Sequence, residues 1–380
     1  LTKVIPIQGM STAPHLEFAG EIKKIVKIPI FHAAKINDIS TARYAIESGK
    51  LDMVGMTRAH IADPHIIKKL TNNQEEKIRP CVGATYCLDR IYEGKDTLCI
   101  HNPATGRERF IPQVINKKTS NLKKIVIVGA GPAGLEAARV SSELGHNVIV
   151  FEASDKAGGQ INLITRSRKR RDMVGIIDWR LNICESNKVK FKFNSFASKE
   201  DIASENPDIV IVATGGVPNI DVLKEGSDLI VSTWDILSGS VNIEDDVILY
   251  DDGGNYPGLQ AAEMILDKAL KLEIVTPERF FSPDIGGMNF VPYGKNFYEK
   301  KVKISLTSRI NSVFRKGNRL GVKICSDYSD KIFEKETSQV VIEHGTLPVD
   351  DLYFELKDQS KNLGEVNYKS LINGYNKEII

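Results

Sequence analysis

Cysteine and tryptophan are scarce in this chain, five and two among 380 residues. A small, odd cysteine count in a long chain argues against a secreted disulfide framework and favours reduced thiols or a metal site. Long apolar runs are missing as well: none approaches the roughly 18 residues of a transmembrane helix. There is little excess charge of either sign. The net charge is +2 with Lys and Arg spread along the chain, which argues against nucleic acid as a partner. No signal-peptide pattern follows Leu1, and a cytoplasmic location is expected. The composition is ordinary for a globular protein, 42% hydrophobic and 26% charged, and at about 150 residues per domain the length predicts two or three domains.

Residues up to about Leu70 alternate apolar runs with helical patterns. Residues 15–26 and 38–49 read as helices, the second with Asp38 as N-cap. "IPIFHA" (28–33) reads as a buried strand and "LDMVGM" (51–56) as another strand, and a further helix is expected near Pro64. This βαβα rhythm predicts parallel strands with outer helices, but the piece is too short to close a sheet. It is expected to be the edge of a larger structure or the end of a truncated barrel.

The stretch "KIVIVGAGPAGLEAARVSSELGHNVIVFEA" carries the strongest local signal. Gly129, Gly131 and Gly134, with Ala130, Pro132 and Ala133 between them, form G-x-G-x-x-G at a strand-to-helix turn. Such glycines allow the tight turn, the approach of a pyrophosphate and close helix packing. The helix N-terminus offers free N–H groups to phosphate. Glu152 ends the next strand, where an acid bonds a ribose hydroxyl. Gly158, Gly159 and Gln160 follow, and "IVIVATGG" (209–216) is a strand ending in Ala213-Thr214-Gly215. Both features resemble the FAD/NAD-linked reductase pattern.

A second unit spans about Asp245 to Thr276, with "YDDGGNYPG" at its turn. Asp251 and Asp252 there would repel a pyrophosphate. Two readings stay open: a Rossmann-like unit without nicotinamide, or an NAD(P)H site. The basic run "RSRKRR" (166–171) reads as a solvated loop or helix start in preference to an anion site.

Cys81, Cys87 and Cys99 stand at C-x5-C-x11-C in "RPCVGATYCLDRIYEGKDTLCIHNPATGRE". Clustered thiolates in a reduced protein bind soft metal or an iron–sulfur cluster. Cys184 and Cys325 stand alone in apolar surroundings and read as core residues.

The barrel-like end, the R-P-C opening, the last Cys followed soon by Asn-Pro and the adjacent dinucleotide unit together resemble one family. It is the iron–sulfur flavoenzyme branch of the Old Yellow Enzyme group, which includes trimethylamine dehydrogenase and 2,4-dienoyl-CoA reductase. "CVGATYCLDRIYEG" and "MTRAHIADPHI" resemble its dimethylglycine and N-methylproline demethylase subgroup most. The resemblance implies an α/β chain: the C-terminal part of a TIM (β/α)8 barrel, an iron–sulfur loop segment, then two Rossmann-like domains. Expected boundaries are 1–75 for the barrel units and 76–120 for the cluster segment. The FAD/ADP-binding domain is expected over 121–240, resuming at about 335–380, with the second Rossmann domain over 241–334. Both ends look clipped relative to the family, so the substrate-contacting barrel residues are not in the chain.

The resemblance further implies that Ala34, Lys35, Thr57 and Arg58 bind the FMN phosphate. The Gly129–Gly134 turn with Glu152 and Gln160 would hold FAD or ADP. Cys81, Cys87 and Cys99 would ligate a 4Fe-4S or 3Fe-4S cluster. Ala84 stands where the family has a fourth Cys, so His101, Asp89 or water would complete a four-iron cluster. The implied activity is oxidative demethylation of a small methylated amine, drained by an electron-transferring flavoprotein or a quinone-linked acceptor. The competing readings are an NAD(P)H-dependent dienoyl-CoA or enoate reductase and a non-catalytic electron-transfer module. A homo-oligomer is expected at full length.

Overall fold

A computed structural model describes residues 4–115, 119–360, 363–365 and 367–372. The end of the expected first dinucleotide domain, residues 373–380, lies outside the described residues. The chain forms two compact units. One comprises residues 11–161, 173–215 and 348–380, the other residues 1–10, 162–172 and 216–347. The fold is α/β with parallel sheets.

In the first of these units, a four-stranded parallel sheet has the order Lys190–Lys192, Asn147–Phe151, Lys124–Val128, Ile209–Val212. Its inner strands are continuous apolar runs because helices cover them, as parallel sheets require. Val126, Ile127 and Val150 are fully buried. Helix Pro132–Glu143 follows the first strand with Gly131 as N-cap and Pro at its first position, and helix Gly175–Ser186 packs against it.

The same unit holds the barrel-like segment. Helix Leu16–Ile25 and helix Ile39–Glu47 form on schedule, the latter capped by the Asp38 carboxylate accepting the Thr41 N–H at 2.7 Å. Phe31–His32 pairs in parallel with Met53–Val54. The expectation that strand 28–33 is buried is corrected. Phe31 is 64% and Met53 55% exposed, because the described residues place no layer over that face. Leu16, Ala19, Ile36, Ala45 and Leu51 pack together on the other side. Two short helices, Thr57–Ala62 and Ile66–Thr71, stand where a single one was expected near Pro64.

The other unit is built on a five-stranded parallel sheet in the order Lys303–Ser305, Lys271–Val275, Asp246–Asp251, Gln339–Glu343, Val231–Ser232. Strand Gln339–Glu343, read from sequence as part of the resumed first dinucleotide domain, pairs here beside Asp246–Asp251. A three-stranded antiparallel sheet, Ser308–Lys316, Arg319–Ser326 and Ser329–Thr337, adjoins it. Helix Tyr256–Leu266 follows the Gly-rich turn. The solvated reading of the basic run is corrected at Arg170, which is 5% exposed because its guanidinium stacks on the Tyr256 ring. Of the two lone cysteines, Cys184 is fully buried, whereas Cys325 is only half-buried on its antiparallel strand.

Candidate functional site

The first glycine turn has the geometry its sequence demands. Gly129 has φ +101, and a side chain there would run into the Ala213 carbonyl. A Cβ at Gly134 would collide with the Gly129 carbonyl, so the helix seats against the turn only without one. Gly131 differs: nothing lies within 4 Å of its would-be Cβ. The surface above it is open, and Gly131, Pro132 and Ala133 are all partly or fully exposed. That open space is the room a pyrophosphate needs at a helix N-terminus that no side chain caps.

Glu152 is brought to the same place. One carboxylate oxygen accepts the Ala130 N–H at 2.7 Å and the other the Ser154 N–H at 2.8 Å. Each oxygen keeps a lone pair for a hydroxyl. Gly158 donates its N–H to the Ala130 carbonyl at 2.9 Å, and Gly159 sits against Gly131. Gln160 is exposed at the end of that loop.

The three cysteines gather in the same unit. Cys81 and Cys99 interact electrostatically, and Cys87 interacts with both. Each sulfur meets a backbone N–H: Cys81 that of Gly83, Cys87 that of Leu88, and Cys99 that of His101 at 3.4 Å. The loop between the first two carries positive φ at Gly83 and at Thr85 (both +64), which folds Cys81 back toward Cys87. Burial raises the Cys81 thiol and pushes Cys87 up to about 11. Such sulfurs become thiolates on metal binding, and N–H bonds to them tune a cluster's potential. No three His, Cys, Asp or Glu among the described residues form a site for a single metal ion. Ala84, where the resemblance sets a fourth Cys, is buried.

His101 is fully buried. Its Nδ1 is 2.9 Å from the Pro80 carbonyl, and its ring meets Trp179 edge-on at 5.5 Å. Burial, then Arg180, lowers its pKa well below the usual range.

Arg58 and Lys35 lie close enough to Cys81 to draw its pKa down, and Arg58 does the same at Cys87. The two cations expected at the FMN phosphate thus stand beside the thiols. Lys35 is only 4% exposed. It follows Ala34 in a pair of positive-φ residues, +100 and +56, and such strain in non-glycine residues concentrates at binding sites. Thr57 and Arg58 open the short helix after strand Met53–Val54.

Behind the cysteine loop lies a charged network that sequence reasoning missed. The Asp63 carboxylate accepts the backbone N–H of Arg79 at 2.8 Å and of His65 at 3.0 Å. The Arg79 guanidinium lies 4.2 Å over the Trp179 ring. Arg180 bonds Glu136 at 2.8 Å and the His101 carbonyl at 3.0 Å, while Arg139 bonds both Glu136 and Glu143. Burial would raise the Glu136 carboxyl, but the bonds to Arg139 and the charges of Arg180 and Arg79 hold it at about 2. Arg79 appears in the R-P-C motif, yet nothing in the sequence marks it as buried.

The second turn is closed. Asp251 is buried and accepts the N–H groups of Gly253 and Gly254 at 3.0 and 3.1 Å. Its carboxyl fills the space a Cβ at Gly258 would need. Pro283 packs on Gly254, and Asp284 donates its N–H to the Gly254 carbonyl at 3.0 Å. Asp252 pairs with His344 Nδ1 at 2.7 Å. The Gly253 and Gly254 amides and the surface over them are therefore already taken.

Residues 89–236 match the family model of the pyridine nucleotide-disulphide oxidoreductases. Along 100% of its length the chain is 51% identical to a probable N-methylproline demethylase of Rhizobium meliloti, of which it covers 56%. Over 98% of its length it is 41% identical to the N,N-dimethylglycine/sarcosine dehydrogenase of Chromohalobacter salexigens, covering 55% of that protein. A multifunctional alkene reductase/demethylase OYE of Caballeronia cordobensis is 37% identical over 97% of this chain and 54% of that protein. A solved relative of similar fold is 2-naphthoyl-CoA reductase, with a TM-score of 0.83 and 27% identity over 94% of this chain and 53% of the other. The chain spans about half the length of the curated relatives it matches. No helix among the described residues is long and apolar enough to cross a membrane.

Proposed function

We propose that the intact enzyme oxidatively demethylates a small methylated amine of the dimethylglycine, N-methylproline or trimethylamine type. The observation that carries this reading is the meeting of two residue sets in one compact unit: the thiol trio, and the cations Arg58 and Lys35. Identity of 51% to a probable N-methylproline demethylase supports the substrate class. When bound, FMN supplies two-electron oxidation of the amine, whose product hydrolyses to formaldehyde, and an iron–sulfur cluster supplies one-electron relay.

The chain's own residues bind and orient. Lys35 and Arg58 neutralise the FMN phosphate, with Ala34 and Thr57 shaping the loops that present it. Cys81, Cys87 and Cys99 hold the cluster, as three irons or as four with a non-cysteine ligand. Gly129 to Gly134 seat the pyrophosphate of FAD or ADP, and Glu152 accepts from its ribose. The closed second turn supports electrons leaving to an electron-transferring flavoprotein or a quinone-linked acceptor, since nicotinamide has no free turn to occupy.

Anaerobic addition of dimethylglycine or N-methylproline to the intact enzyme tests the direction. Loss of the visible flavin band with the amine, and none with NADPH, is expected. Bleaching by NADPH alone would replace this reading with the enoyl-thioester reductase.

A further inference from the structure

Arg170 is a buried cation without an ion pair. It is 5% exposed, and it forms none of the salt bridges found among the described residues, all of which lie within 4.0 Å. Arginine is almost never this buried without a counter-charge. Its guanidinium lies 3.7 Å over the Tyr256 ring, and one terminal nitrogen reaches the Gln260 side-chain oxygen at a long 3.4 Å. Its Nε is buried with no hydrogen-bond partner.

The neighbouring groups leave the charge uncompensated. Glu263 is the acid on the same helix face, but it is engaged by Lys169 and by the Ser167 hydroxyl at 2.9 Å. The groups whose charge is felt at Arg170 are the phenols of Tyr256 and Tyr293. Tyr293 is 2% exposed, and its hydroxyl makes no well-formed hydrogen bond. Arg170 and Tyr293 are near enough to feel each other's charge, among segment 162–172 and helices Tyr256–Leu266 and Gly287–Glu299 of one compact unit.

A buried water could accept from Nε and from the Tyr293 hydroxyl, but it brings no charge. An oxyanion supplies both: it accepts from the planar guanidinium edge and from the phenol, and it neutralises the cation. We infer that Arg170 and Tyr293 form an oxyanion-binding site that takes a phosphate or carboxylate group.

The test is a titration of the purified protein, dialysed into an anion-poor buffer, with inorganic phosphate, acetate and AMP in separate arms. Binding is read by calorimetry and by the shift in melting temperature. Expected is saturable binding of at least one oxyanion, weakened tenfold or more in R170Q and about fivefold in Y293F, with R170K between. A response to phosphate and AMP that R170Q weakens, with none to acetate, assigns a phosphate-bearing ligand, and one to acetate alone that R170Q weakens assigns a carboxylate. Should R170Q fail to fold, Y293F and R170K carry the comparison. Equal oxyanion binding by wild type and the variants that fold, or no binding by wild type, overturns the site and leaves Arg170 as a stacked structural cation.

Discussion

Two carboxyls in this chain titrate in opposite senses. Burial, with Glu343 and Asp252 nearby, pushes Asp251 up to about 7 from 3.8. A raised carboxyl binds its proton more tightly in the folded state. Its share of stability is thus present at low pH and is lost as pH rises from about 4 through 7. D251N keeps the oxygen that accepts from Gly253 and Gly254 but cannot ionise. It should be more stable than wild type at pH 8 by on the order of 3 kcal/mol, and little changed at pH 4. Denaturant unfolding at the two pH values measures this, and an equal effect at both contradicts it. Glu136 behaves in reverse, its carboxyl held at about 2 against an ordinary 4.5. Its stabilisation is complete above about pH 4.5 and lost as pH falls through 2. E136Q should flatten the acid limb of the unfolding curve and cost about 3 kcal/mol at pH 7, since Arg180 and Arg139 then lose their buried counter-charge. An acid limb identical to that of wild type would show that Glu136 is not held low. Neither carboxyl's role was legible in the sequence. Asp251 could be read as an obstacle at a turn, but not as the group bonding that turn from within. Glu136 is one helical acid among many until Arg180 and Arg79 are folded against it.

At the level of elements, legibility followed local chemistry. The βαβ unit from Lys124 to Phe151 was readable because strand, glycines, helix and terminal acid lie within one short stretch. Asp38 was readable as a cap because capping is a contact three residues long. The exposure of Phe31 and Met53 was not, since apolar residues state that a face wants cover but not whether the chain supplies it. The glycine turn offers a clean test of the nucleotide reading. Gly131 has φ −72 and open space at its Cβ, so G131V should fold with a melting temperature close to wild type. It should nevertheless lose most of its bound adenine nucleotide, with affinity down tenfold or more. G129V, at φ +101 and against the Ala213 carbonyl, should instead lower the melting temperature. Nucleotide content after denaturation, measured beside a melting curve, separates the two. Retention of nucleotide by G131V would place the ligand elsewhere.

Over the whole molecule, one unit collects the cysteine trio, the cations Arg58 and Lys35 and the first dinucleotide turn, while the other carries a dinucleotide turn closed by its own carboxyl and loop. The resemblance was legible because the motifs occur in a fixed order. The charged lattice behind the cysteines was not, because Asp63, Arg79, Glu136 and Arg180 are far apart in sequence and each is an ordinary surface residue when read alone. Cluster occupancy is the claim on which the electron-relay reading depends. The most direct measurement is iron and acid-labile sulfide per chain in protein purified without oxygen, for wild type and for C81S, C87S and C99S. The account predicts three or four irons per wild-type chain with matching sulfide, and loss of most of both in each variant. Iron-free wild-type protein, or full iron in all three variants, would contradict it.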